Sequence, residues 1–263
     1  YDNTSFIDTP AIADGTNRLE VVTSGSNDTL TLIQNFAQAN TDPLHLVANV
    51  AVPTVQNYSD ARILGVTVDN IAAINDSLAT AVIDMQRINS REKLQELVSA
   101  YLSILGLADG NNNTSNDANP SFLQYGLIGV TDVVDSNIAG LLGDVIDLKR
   151  KDDVDTVVEI QELANTVIAV LNAAKNGTSL TQTQLEKLGV TGVTGDNFAA
   201  VFNAIVATKD VGSVDTIGEL QTIVNNAIAT ATSSLNFLKA FAQLNTESAP
   251  TASGNYQSAA PLL

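Results

Sequence analysis

"LGVTGVTGDNFAAVFNAI" (residues 188–205) sets glycines at 189, 192 and 195 directly ahead of an apolar pattern of helical period. Two readings compete. Such glycines can let helix N-terminal amides approach a phosphate, or they can mark a tight turn between structural units. A phosphate loop needs a neighbouring cation or a magnesium ligand, and no Gly-Lys-Ser/Thr follows. The turn reading gains support because the phrase recurs, as "LGVTVDNIAAIN" (64–75) and "IGVTDVVDSNIAGLL" (128–142). Aligning Asn70, Asn137 and Asn197 gives spacings of 67 and 60, and the first copy reads as having lost one GVT triplet.

A second phrase follows each first one: "INSREKLQELV" (88–98), "VDTVVEIQELA" (154–164) and "VDTIGELQTIV" (214–224). Asn89, Asp155 and Asp215 coincide there, at spacings of 66 and 60. Two anchors with matching periods indicate an internal repeat. Phe198, Val201, Phe202, Ile205 and Val206 fall on one helix face, as do Ile217, Leu220, Ile223, Val224, Ala227 and Ile228. Asp69, Ser136 and Asp196 are placed to start the first of these helices. Thr156 with Glu159 and Thr216 with Glu219 form capping boxes that open the second. In the first copy Asn89, with Glu92 three residues on, takes the cap. "SLTQTQLEKLG" (179–189) reads as a short preceding helix capped by Ser179 and closed by a left-handed Gly189.

The expected fold is therefore mainly α: tandem small antiparallel helical bundles, three units plus partial units at both ends. A short extended or β segment is reserved for the residues before about 28, including "RLEVV". The boundaries read as an N-terminal segment with the tail of a partial unit (1–52), repeat 1 (53–110), linker and repeat 2 (111–177), repeat 3 (178–248) and the head of a partial unit (249–263). The last long helix, over 216–244, would reach about 40 Å. "LIQNFAQANTD" (32–42) matches "NFLKAFAQLNTES" (236–248), with Phe36 on Phe241. The C-terminal "APTASGNYQSAAPLL" matches "VPTVQNYSDARIL" (52–64). Repeat ends normally carry polar caps. Phe36, Tyr256, Leu262 and Leu263 are thus expected to contact adjacent repeats of a longer chain or other copies of the protein.

Composition narrows the function. Twelve Lys and Arg against 29 Asp and Glu give a net charge of −17, which repels phosphate backbones and anionic membrane surfaces. Nucleic acid is excluded as an expected partner. No apolar run reaches the roughly 18 to 20 residues that a bilayer requires, so membrane insertion is not expected either. The absence of cysteine removes disulfides, thiol catalysis and zinc–cysteine sites. The chain opens at Tyr1 without a Met or a leader, which reads as a trimmed precursor or a piece of something longer. His45 is the sole histidine and no G-x-S-x-G elbow accompanies it, so a serine-hydrolase site is not expected. Calcium is the metal best suited to the oxygen side chains that Asp109, Asn111, Asn113 and Asp117 offer. That stretch lacks the central Gly and closing Glu of an EF-hand and reads better as a polar linker. No cofactor is expected.

The GVT phrase followed by the VDT phrase, strongest at 188–205 and 214–228, resembles the helical tandem repeats of very large bacterial cell-surface and biofilm adhesins. The resemblance covers roughly 53–248. It implies a secreted, cell-surface protein whose units act as spacer or adhesive elements, with no catalytic residues to carry over. The alternative is a helical binding module that captures a host or matrix protein. Such a module should show an apolar patch on one unit that the others lack; Phe198 and Phe202 are the candidates, and they read better as core-filling side chains.

Overall fold

The computed structural model describes residues 24–110 and 118–247, and every regular element among them is helical. The ten α-helices are α1 (Ser24–Ala39), α2 (Val55–Asp60), α3 (Ile71–Leu78), α4 (Arg91–Leu107), α5 (Phe122–Leu127), α6 (Ser136–Asp147), α7 (Val157–Asn176), α8 (Gln182–Lys187), α9 (Phe198–Ala207) and α10 (Ile217–Glu247). Two 3₁₀ turns, Lys151–Asp153 and Val211–Ser213, precede α7 and α10. The residues read as extended before 28 are helical from Ser24 onward, and those before 24 lie outside the described residues.

After α1 the order short helix, middle helix, long helix occurs three times. The long helix of one period packs on the next: α1 on α2, α4 on α5 and α6, α7 on α8 and α9. The core is accordingly not divided into one pocket per period. One apolar cluster runs from Ala73 to Val224, and a smaller one gathers α1 with the first period around Phe36, Tyr58, Ile74 and Leu78. Helix α7 is long and apolar enough to cross a bilayer by length and composition. Its Ile160, Val167, Val170 and Ala173 are fully buried in the main cluster.

The turn between short and middle helix has one backbone in all three periods. It uses two left-handed residues three apart: Arg62 and Gly65 (φ 60° and 89°), Gly129 and Asp132 (99° and 66°), Gly189 and Gly192 (89° and 82°). The first copy has therefore lost no triplet. Arg62-Ile63-Leu64 stands where the third has Gly189-Val190-Thr191, and Ile63 and Val190 are both 3% exposed. The amides of Ile63, Val130 and Val190 donate to the carbonyls of Tyr58, Tyr125 and Leu185, the same 6→1 bond each time.

Several helix starts differ from their sequence reading. Thr54, Ser121 and Thr181 cap the short helices, so Thr181 takes the place expected of Ser179. Ser90 caps α4 in place of Asn89, its hydroxyl accepting from the Lys93 amide; the cap needs only that oxygen, whatever stands three residues on. Asp135 caps α6 and accepts from two amides, leaving Ser136 as the first helical residue. Asn70 and Asn197, not Asp69 and Asp196, precede α3 and α9. Their side chains close the turn behind them: each Oδ1 accepts from the Thr67 or Thr194 amide, and each Nδ2 donates to the Gly65 or Gly192 carbonyl. The capping box at Thr156/Glu159 forms as read. At Thr216 only half of it forms: the Glu219 amide donates to the Thr216 hydroxyl, and the Glu219 carboxylate accepts from that hydroxyl and not from the Thr216 backbone amide.

Candidate functional site

The recurring polar chemistry sits at the turns and at the joints between periods. Gln95, on α4, accepts from the Leu64 amide at 2.7 Å and donates to the Leu64 carbonyl at 3.1 Å. Gln161, on α7, does the same to Thr131 at 2.7 and 3.2 Å, and Gln221, on α10, to Thr191 at 2.9 and 3.1 Å. Each primary amide pairs with a backbone amide–carbonyl set as a strand would, so one side chain satisfies both groups of a turn residue that no helix can serve. The clamp ties the first phrase of a period to the second phrase about 30 residues later. Each glutamine is braced one helical turn on, by Ser99, Asn165 or Asn225.

This clamp was not singled out in the sequence, although the signal was present. Gln95, Gln161 and Gln221 are spaced 66 and 60 residues apart, the same periods as the anchors. A polar residue that keeps step with core positions marks a specific bond.

The joints are built alike. The first amide of α7, at Val157, donates to Asp76 on α3 at 2.7 Å. The first amide of α10, at Ile217, donates to Asp144 on α6 at 3.0 Å. In both, a carboxylate of one period satisfies an orphan donor at the start of the next period's long helix and meets its positive dipole end. Burial pushes the Asp76 carboxyl above the usual range, opposed by the Val157 amide. Asp155 and Asp215 are raised too, chiefly by burial, with Glu159 and Glu219 beside them. Close approach is allowed by a small residue: a Cβ on Gly140 would lie 3.3 Å from the Asp215 carbonyl. Cations reach across as well, Arg87 to the Gly126 carbonyl and Lys149 to the Lys187 carbonyl.

The sequence-derived candidates fall elsewhere. Asn111, Asn113, Asp117, Tyr256, Leu262 and Leu263 lie outside the described residues. Asp109 is exposed and bridges to Arg150 through the backbone. Among the described residues no group of three or more His, Asp or Glu is placed to hold a metal ion. Phe36 is 1% exposed inside its own chain, under α2. His45 is an exposed side chain whose Nδ1 lies 2.7 Å from Asp42 Oδ2, and that bond holds the Asp42 carboxyl below its usual range.

Phe198 and Phe202 stack at 6.2 Å between ring centroids and pack against the main core. An exposed apolar patch lies on the far half of α10, where Leu235, Phe237, Leu238, Phe241 and Leu244 are 50% to 71% exposed. Between α9 and α10 an open groove is lined by Ala200, Ala204, Ile223 and Ala227 and carries no titratable side chain. No family model, curated protein or solved structure matches the chain.

Proposed function

We propose that the chain is a non-enzymatic, extracellular repeat protein of a bacterial surface. In this reading it is a tandem array of three small helical units and a partial one, serving as a spacer or as the subunit of a self-assembling filament or surface layer. The observation that carries the reading is the destination of the repeated polar residues: Gln95, Gln161 and Gln221 go to turns, and Asp76 and Asp144 to joints. Chemistry repeated in that way maintains a shape, and quasi-one-dimensional stacks serve as extended scaffolds. The acidic surface and the resemblance to surface-adhesin repeats favour an extracellular setting.

Duplicating one period tests it. A second copy of residues 157–216 placed after Thr216 should leave helicity per residue unchanged and lengthen the particle by a helix layer, about 10 Å, in small-angle scattering. An aggregated or molten product would overturn the stack. Protease treatment of intact source cells should release the chain, and its resistance would overturn the surface location.

A binding module is the second reading, and the exposed stripe on α10 is the observation that favours it. The other long helices show no such patch among their described residues.

A further inference from the structure

The far half of α10 is surplus to the repeat. Helix α7 has 20 residues and stops at Gly177, which adopts φ 68°. Sixty residues on, the matching position is Phe237, and α10 continues to Glu247 for 31 residues in all. Around the missing stop the sequence repeats part of α1 and the two residues after it: Phe36-Ala37-Gln38-x-Asn40-Thr41 recurs as Phe241-Ala242-Gln243-x-Asn245-Thr246, with Ile33 matched by Leu238 and Leu30 by Leu235. In α1 this pattern is fully used. Ile33, Phe36, Ala37 and Asn40 are at most 1% exposed, packed with Tyr58, Ile63, Ile74 and Leu78. Gln38 accepts from the Met85 amide at 3.4 Å; Gln34, whose place α10 gives to Lys239, donates to the Ile88 carbonyl at 2.8 Å. In α10, Leu238 and Phe241 are 61% and 57% exposed.

We propose, building on the repeat reading above, that the far half of α10 is a donor helix. It takes the place of α1 in a second copy of the chain, laying Leu238 and Phe241 where Ile33 and Phe36 lie. The partner is a second copy because the groove shaped for this pattern is the one formed by α2, α3 and α4.

The rest of the C-terminal face agrees with whole-unit stacking. Ala73, Gly140 and Ala200 are equivalent positions on α3, α6 and α9. The starts of α7 and α10 sit on the first two of these helices, while Ala200 lines an open groove. With α10 in the place of α1, the start of the second copy's α4 comes to that groove. The contact is heterologous and generates an open, head-to-tail series. Helix α1 is joined to α2 through residues 40–54, which hold no α-helix, so its release breaks no element. Tethered α1 has the advantage of high effective concentration, so exchange is favoured only at high protein concentration. Salt promotes it by screening the −17 charge.

The absence of cysteine allows a direct test on the full chain. Met85→Cys and Gln243→Cys proteins are mixed, incubated at high concentration and salt, and joined with a short bismaleimide. The expected product is a covalent 85–243 heterodimer, identified by peptide mass, whose yield falls roughly tenfold when Phe241→Asp is added to the Gln243→Cys chain. Phe241 is exposed, so that substitution leaves the monomer folded. A Phe36→Asp change in the Met85→Cys chain should raise the yield by loosening α1. Three results overturn the proposal: no 85–243 product above the Phe241→Asp level, 243–243 dimers as the main product, or a chain that stays monomeric by sedimentation throughout. An elongated particle from the duplicated-period protein together with any of these would reject the exchange and leave the repeat reading standing.

Discussion

The turn at residues 62–65 and the turn at residues 189–192 have the same backbone and share few residues. Arg62 and Gly65 in one, and Gly189 and Gly192 in the other, supply the two left-handed positions. The Leu64 and Thr191 backbones are clamped by Gln95 and Gln221 with the same pair of bonds. The residues between can therefore vary. The sign of φ, one inward aliphatic chain (Ile63 or Val190) and one glutamine across from the turn are what recur. A left-handed residue other than glycine costs about 1 to 2 kcal/mol, a loss that two net hydrogen bonds of about 1 kcal/mol each can offset. Glycine is thus one way to make this turn, and the clamp is common to all three.

The sharpest way to break that equivalence is at Gly129, where φ is 99° and an added Cβ would lie 2.8 Å from the Thr80 hydroxyl of the preceding period. Position 62 tolerates arginine at φ 60°. Position 129 should not tolerate valine, which combines backbone strain with a buried clash. We expect Gly129→Val to cost about 3 kcal/mol or more, read as a lowered urea midpoint by circular dichroism. A midpoint within experimental error of the parent would mean that the turn adapts freely.

The next largest effect tests the clamp itself. Gln161→Leu removes both bonds to Thr131 and should cost about 2 kcal/mol. Gln161→Glu is more diagnostic, because an ionised carboxylate can accept from the Thr131 amide but sets an oxygen against the Thr131 carbonyl. Protonation restores the donor, so folding favours the protonated form and raises the pKa of that carboxyl. The deficit of this variant should be full at neutral pH and shrink as pH falls through the carboxyl range. A deficit that does not change with pH would show that the glutamine acts only by packing.

Much of this periodicity was legible because it rests on near neighbours. The Thr156/Glu159 capping box spans three residues, and the apolar faces of α9 and α10 follow the helical period, so local pattern suffices. Positions decided by a distant partner were not legible. Gln161 looks like any exposed helix residue until Thr131 is placed beside it. Asp76 and Asp144 occupy positions offset by one in the repeat, so no shared anchor exposes their common role at the joints. Arg62 conceals a left-handed residue because nothing in its own side chain calls for one. The surplus of α10 was visible only as a match to residues 32–42, and its meaning comes from α1 being buried where α10 is bare.

The smallest effects compare one tyrosine in two periods. Tyr58 and Tyr125 are equivalent, both wholly buried beneath their turns, and burial pushes both phenols up. Tyr58 donates to Asn75 Oδ1 at 2.7 Å, and Asn75 in turn donates to the Pro53 carbonyl at 2.9 Å. In the second period the position of Asn75 is held by Leu142, and the Tyr125 hydroxyl has no partner among the described residues. Removing a satisfied hydroxyl leaves an orphaned acceptor, whereas removing an unsatisfied one relieves a desolvation penalty. Tyr58→Phe should therefore lower stability by about 1 kcal/mol and Tyr125→Phe should raise it by a similar amount. The pair can be closed as a cycle: Leu142→Asn is expected to be less damaging with Tyr125 present than in the Tyr125→Phe background, because only the tyrosine can donate to the new amide. Equal penalties in the two backgrounds, measured by urea unfolding, would show that the second period does not reproduce the geometry of the first at this contact.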